Sequence, residues 1–92
     1  MARQDPDRLV RDVARRVVEL RQAKGWSQEM LAERMSCSVQ RVSVIEGGSA
    51  NLTIHTLARI ANVFGVTVND LFVPAGPVAK ATRRGRPRRA ER

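Results

Sequence analysis

Ninety-two residues carrying a net charge of +8, with one cysteine and only three aromatic side chains, make one small domain. A lone cysteine excludes an internal disulfide and suits a reducing cytosol. No apolar run approaches the ~18 residues of a membrane span, and the start Met1-Ala2-Arg3-Gln4-Asp5-Pro6 has no signal-peptide core, so no membrane partner is expected.

The charge is unevenly placed. Residues 80–92 hold seven Lys/Arg and one acid, and so carry +6 of the total, leaving +2 on residues 1–79. A tail of that density attracts polyanions, whereas the rest of the chain is nearly neutral and must be judged on its geometry.

Asp5-Pro6-Asp7 reads as a helix start, with Asp as cap, Pro at the first position and a second acid in the first turn. Leu9, Val10, Val13, Val17 and Leu20 then recur at helical spacing as far as Lys24, and Gly25 is a fitting stop. Thereafter one device appears four times: an apolar residue, then Ser or Thr, then an apolar residue four positions past the cap. The instances are Trp26-Ser27…Leu31, Cys37-Ser38…Val42, Leu52-Thr53…Leu57 and Val66-Thr67…Leu71. Each fits an N-cap with its hydrophobic staple, and Asp70, three after Thr67, adds an approximate capping box. Together with the Asp5 start they predict five helices, over about 6–24, 28–35, 39–46, 54–64 and 68–72, and no strand.

Residues 27–46 are the centre of this plan. Leu31 and Met35 form the apolar stripe of one short helix, Val42 and Ile45 that of the next. Ser36-Cys37-Ser38 leaves room for the turn of a helix-turn-helix, and Ala32 supplies a small side chain where the helices cross. Such a unit places its second helix in a DNA major groove. Gly47-Gly48-Ser49-Ala50-Asn51 follows as a loop. The next helix buries Leu57, Ile60, Ala61 and Phe64 and stops at Gly65. Pro74, Gly76 and Pro77 end the regular structure, which divides the chain into a domain at 1–77 and a tail at 78–92 of disordered composition.

The set Gln28…Leu31-Ala32…Met35-Ser36-Cys37-Ser38…Val42…Ile45-Glu46, followed by Leu57…Ile60-Ala61…Phe64-Gly65-Val66…Asp70-Leu71-Phe72, resembles the Cro/C1-type (Xre-like) helix-turn-helix regulators over about residues 13–73. The resemblance implies an all-α, five-helix, lambda-repressor-like DNA-binding domain. The sequence departs from the family at two places. Ser36 stands where the family usually has Gly, so either Ser accepts a left-handed backbone or the turn differs. Gly47 stands where a polar or basic residue usually reaches phosphate, leaving that contact to the backbone or absent.

On a helical wheel with Val42 and Ile45 inward, Gln40, Ser43, Val44 and Gly47 point outward, flanked by Val39 and Arg41. Gln40 is the first choice for a base contact, since bidentate bonding to adenine is its natural pairing; Val44 suits a thymine methyl, and Arg41 a guanine or a phosphate. The competing reading of this stripe is an ordinary solvated helix face. The family resemblance implies that Gln28 contacts a phosphate while supporting the recognition helix, and that Arg21 and Glu46 form a structural salt bridge. Ser27 and Ser38 are caps whose positions also permit phosphate contact.

In the tail, Arg84-Gly85-Arg86-Pro87-Arg88 resembles an AT-hook. Arg side chains suit a narrow A·T minor groove, Gly permits close approach, and Pro keeps the chain extended. The alternative is a generic phosphate anchor. Cys37 is expected as a small core residue, with redox sensing as the competing reading, and His55 as a surface residue without metal partners. No catalytic constellation assembles, and no enzyme activity, metal or cofactor is expected.

The expected function is a cytoplasmic, nucleoid-associated transcriptional regulator, a repressor binding double-stranded DNA at a palindromic operator as a homodimer. Helix five with Leu71, Phe72 and Val73, or the extension before Val13, supplies the dimer surface. The alternatives are an antitoxin, with a toxin as protein partner, and an architectural nucleoid protein.

Overall fold

Side-chain caps open every α-helix among the described residues. The computed structural model describes residues 5–73, and within them Asp5, Ser27, Ser38 and Thr53 each accept a bond from a backbone amide of the first turn that would otherwise lack an acceptor. The helices are α1 (Pro6–Ala23), α2 (Gln28–Met35), α3 (Val39–Glu46) and α4 (Ile54–Phe64). No strand occurs among the described residues, so the class is all-α.

The residue before each Ser/Thr cap does its part in packing. Trp26, Cys37, Leu52 and Val66 are all partly buried against the core, as a staple requires. Cys37 is thus half-buried rather than a full core member, and its Sγ approaches the Ser38 carbonyl at 3.6 Å.

The helix ends repeat one pattern as well. At Gly25, Ser36 and Gly65 a residue with positive φ donates to the carbonyl three back, and the next amide reaches five back; for Ser36 these are Ser36 N to Glu33 O at 3.1 Å and Cys37 N to Ala32 O at 2.9 Å. This is the Schellman ending. Ser36 therefore does take the left-handed backbone (φ 55°, ψ 47°), and the turn has the form that Gly would give.

The fifth helix is the point of correction. Residues 68–72 form no α-helix but a one-turn 3-10 helix, Asn69–Phe72, closed by Asp70 N to Thr67 O and Leu71 N to Val68 O, both 3.0 Å. The Thr67–Asp70 capping box does form, with reciprocal bonds of 3.2 and 3.0 Å. It tightens the segment onto itself, and Pro74 disfavours an α conformation at Val73, which is extended (ψ 133°). Arg16 Nε then ties the turn to α1 through the Asp70 carbonyl at 3.1 Å.

One core joins all five elements. Val13 and Val17 of α1, Leu31, Ala32 and Met35 of α2, Val42 and Ile45 of α3, Leu57, Ile60, Ala61 and Phe64 of α4, and Leu71 are buried together. Trp26 stacks on Phe64 with ring centroids 5.6 Å apart and carries the Arg34 guanidinium at 4.4 Å on its ring. Two buried residues, Ala14 and Ala50, were not expected inside. Ala50 sits in the loop after α3, where Gly48 (φ +80°) lets the chain lie against Arg11 and Ala14 of α1; a Cβ there would stand 3.4 Å from Arg11 Cγ. The loop thus packs back onto the first helix and delivers Ala50 to the core.

Candidate nucleic-acid interface

Helix α3 holds only eight residues, and two of them, Val42 and Ile45, anchor it at 1% exposure each. That inward pair leaves Gln40, Arg41 and Ser43 exposed, together with Val39 (37%) and Val44 (39%). The outward face is polar at its centre and apolar on both flanks, with the exposed Arg41 beside it.

A charge network holds the far end of this helix. Arg21 Nε and Glu46 Oε2 lie 2.7 Å apart, and Arg21 Nη2 donates to Oε1 at 3.2 Å, so the pair is bidentate. The third guanidinium nitrogen donates to the Trp26 carbonyl at 2.8 Å, and Gln28 Nε2 donates to Glu46 Oε1 at 2.9 Å. The Glu46 side chain is 5% exposed and that of Arg21 15%. One carboxylate therefore joins the end of α1, the start of α2 and the end of α3, and the orientation of α3 follows from it. Removing either partner from a pair this buried costs about 3–5 kcal/mol.

At the other end, Ser38 Oγ accepts from Arg41 N at 3.0 Å, and at the start of α2 Ser27 Oγ accepts from Met30 N at 3.1 Å. Each hydroxyl keeps its own hydrogen for an outside acceptor. Gln28 likewise has spent one of its two Nε2 hydrogens on Glu46 and retains the other. Gly47 differs. Its backbone is right-handed (φ −78°), and its amide already donates to the Ser43 carbonyl at 2.9 Å. Without a side chain or a spare amide, it offers no donor to a phosphate.

Some contributions had no local signal. The Arg59 guanidinium bonds the Met35 carbonyl at the end of α2, 24 residues away in sequence, and so secures the turn from the α4 side. Ile54, first residue of α4, is 76% exposed next to the loop that follows α3. Periodicity can mark Ile54 as apolar but not as uncovered. The Arg84-Gly85-Arg86-Pro87-Arg88 motif and the rest of the basic tail lie outside the described residues.

A family model described as helix-turn-helix matches residues 17–71. The chain belongs to this helix-turn-helix family. It is 37% identical over 57 residues to an HTH-type transcriptional regulator of Deinococcus deserti, a match covering 62% of this chain and 44% of that protein. It is 31% identical over 64 residues to a competence pilus inhibition repressor of Acinetobacter baylyi, covering 70% and 58% respectively. The chain thus spans about half the length of these two curated relatives. Among solved structures it is similar to a hypothetical transcription factor from Neisseria, with 27% identity and a TM-score of 0.69 over 87% of this chain and 91% of that one. The matched residues include α2, the Ser36 turn and α3.

Among the described residues, no group of His, Cys, Asp or Glu is arranged to hold a metal ion, and no helix is long and apolar enough to cross a membrane.

Proposed function

We propose that this chain is a sequence-specific DNA-binding transcriptional regulator, a cytoplasmic repressor that acts as a homodimer on a palindromic operator. The observation that carries the reading is the outward face of α3, where Gln40, Ser43 and Val44 stand exposed on a helix fixed at its end by the Arg21–Glu46–Gln28 network. A helix held this way enters the major groove with its side chains already aimed. Gln40 bonds adenine, Val39, Ser43 and Val44 line the base edges beside it, and Arg41 reaches a guanine or a phosphate. Ser27, Gln28 and Ser38 are the phosphate donors, standing at two helix N-termini whose free amides favour an anion. The repressor role is supported by the name of the Acinetobacter relative.

A single recognition helix covers few base pairs, so affinity and site length call for two half-sites about 34 Å apart. A groove lined by Pro6, Leu9, Val10, Val13, Leu52, Leu57 and Phe72 provides the surface for a second copy. It unites what the sequence offered as alternatives, the start of the chain before Val13 and the segment around Phe72, on one face. The tail, through Arg84, Arg86 and Arg88, adds phosphate or A·T minor-groove contacts.

Selection of bound sequences from random DNA, followed by footprinting, tests the reading. The expected result is a discrete palindromic site. A continuous smear with no selected sequence would replace it with an architectural protein, and a tightly copurifying protein partner with an antitoxin. Removing residues 78–92 should flatten the salt dependence of binding, and an unchanged slope takes the tail out of the interface.

A further inference from the structure

The face of α3 carries more information than a polar reader alone requires. Val39 and Val44 are exposed at 37% and 39%, although Val is a poor choice for a solvated helix surface. They stand on opposite sides of Gln40, with Ser43 between Gln40 and Val39. The major-groove edges of the bases carry one apolar group, the methyl on C5 of thymine.

We propose that Val39 and Val44 are specificity determinants that read pyrimidine C5-methyl groups on either side of the base bonded by Gln40. This rests on the major-groove placement of α3 proposed above. Cytosine methylated at C5 presents the same methyl at the same ring position, so the protein tells methylated from unmethylated cytosine at these positions. The two Val residues are five apart, about 7.5 Å along the helix axis, or roughly two base steps of about 3.4 Å. The methyls they contact are therefore close together within one half-site.

Replacing thymine by deoxyuridine removes the methyl and leaves every hydrogen-bonding group in place. In the site selected by the full chain, each thymine of a half-site is replaced in turn and binding is measured. Two positions within about three base steps of each other are expected to lose about four-fold in affinity, the worth of one buried methyl. Val44→Ala should abolish the loss at one of them, and Val39→Ala at the other. Placing 5-methylcytosine instead of cytosine at either position should tighten binding by a similar factor. Insensitivity to deoxyuridine at every position of a site that the protein still selects overturns the proposal while leaving the parent reading intact. Failure to select any sequence overturns both. Both Val side chains lie outside the core, so the Ala variants should melt with the wild type; if either fails to fold, the deoxyuridine series on the wild-type chain decides alone.

Discussion

The outward face of α3 and the groove between α1 and Phe72 both leave apolar side chains in solvent, yet they are built in opposite ways. On α3, Val39 and Val44 are separated by Gln40 and Ser43, and the helix beneath them is clamped by a bidentate ion pair. In the groove Pro6, Leu9, Val10, Leu52 and Phe72 stand over the buried Val13 and Leu57 without a polar side chain among them. A mixed surface on a rigid support suits base edges, where donors, acceptors and methyls alternate over a few ångströms. A continuous apolar surface suits another protein, where area removed from water matters more than the placement of any one atom.

The largest effect is expected at Glu46. Glu46→Ala leaves the Arg21 guanidinium without its carboxylate and frees Gln28, and should lower the unfolding free energy by about 3–5 kcal/mol in urea titrations. A loss below 1 kcal/mol would mean that α3 is positioned by its apolar pair alone. Next is Phe72→Asp, which puts a charge into the groove. It should weaken self-association by about 2–3 kcal/mol in sedimentation equilibrium, and it should also lower the melting temperature, because Phe72 is only 37% exposed in the single copy. Unaltered association would rule this groove out as the surface of the proposed dimer. Gln40→Ala should cost about 1–3 kcal/mol on the selected site and relax preference at one base. An equal loss on random DNA would make Gln40 a backbone contact. The smallest effect is expected at the turn between the two helices, where Ser36→Gly should raise stability by up to about 1 kcal/mol by relieving a left-handed Ser. Gly65→Ala, at the same ending of α4, should lower it by about as much, and both are read from thermal melts.

Much of this domain was written in short-range chemistry. Each Ser/Thr cap bonds an amide three residues on, and each staple residue lies one position before its cap, so Ser27, Ser38 and Thr53 locate the starts of α2, α3 and α4 without reference to the rest of the chain. The same holds for the core stripes, since Leu31 with Met35 and Val42 with Ile45 follow from helical period alone. Thr67 and Asp70 show the limit of such signals. Their reciprocal bonds form as the residues suggest, but whether an α-helix or a single tight turn follows depends on how far the chain can continue, and here it ends in extended Val73 before Pro74.

Of the candidate interface, the residues of the α3 face could be read from the wheel, and the fate of Gly47 could not. Whether its amide is spare depends on α3 running one bond further, to the Ser43 carbonyl. The bonds from Arg16 to the Asp70 carbonyl and from Arg59 to the Met35 carbonyl span 54 and 24 residues, and no pattern in the sequence pairs an arginine with a distant carbonyl.

The sequence by itself determined where the four α-helices begin and end and which of their faces turn inward, because capping bonds and helical period act over three to five residues. Only the tertiary structure decided that Gly48 folds the loop back onto α1 and buries Ala50, that one carboxylate clamps three helices, and that both ends of the domain meet in a single apolar groove. Those outcomes depend on contacts between segments far apart in the chain, whose relative placement no local spacing encodes.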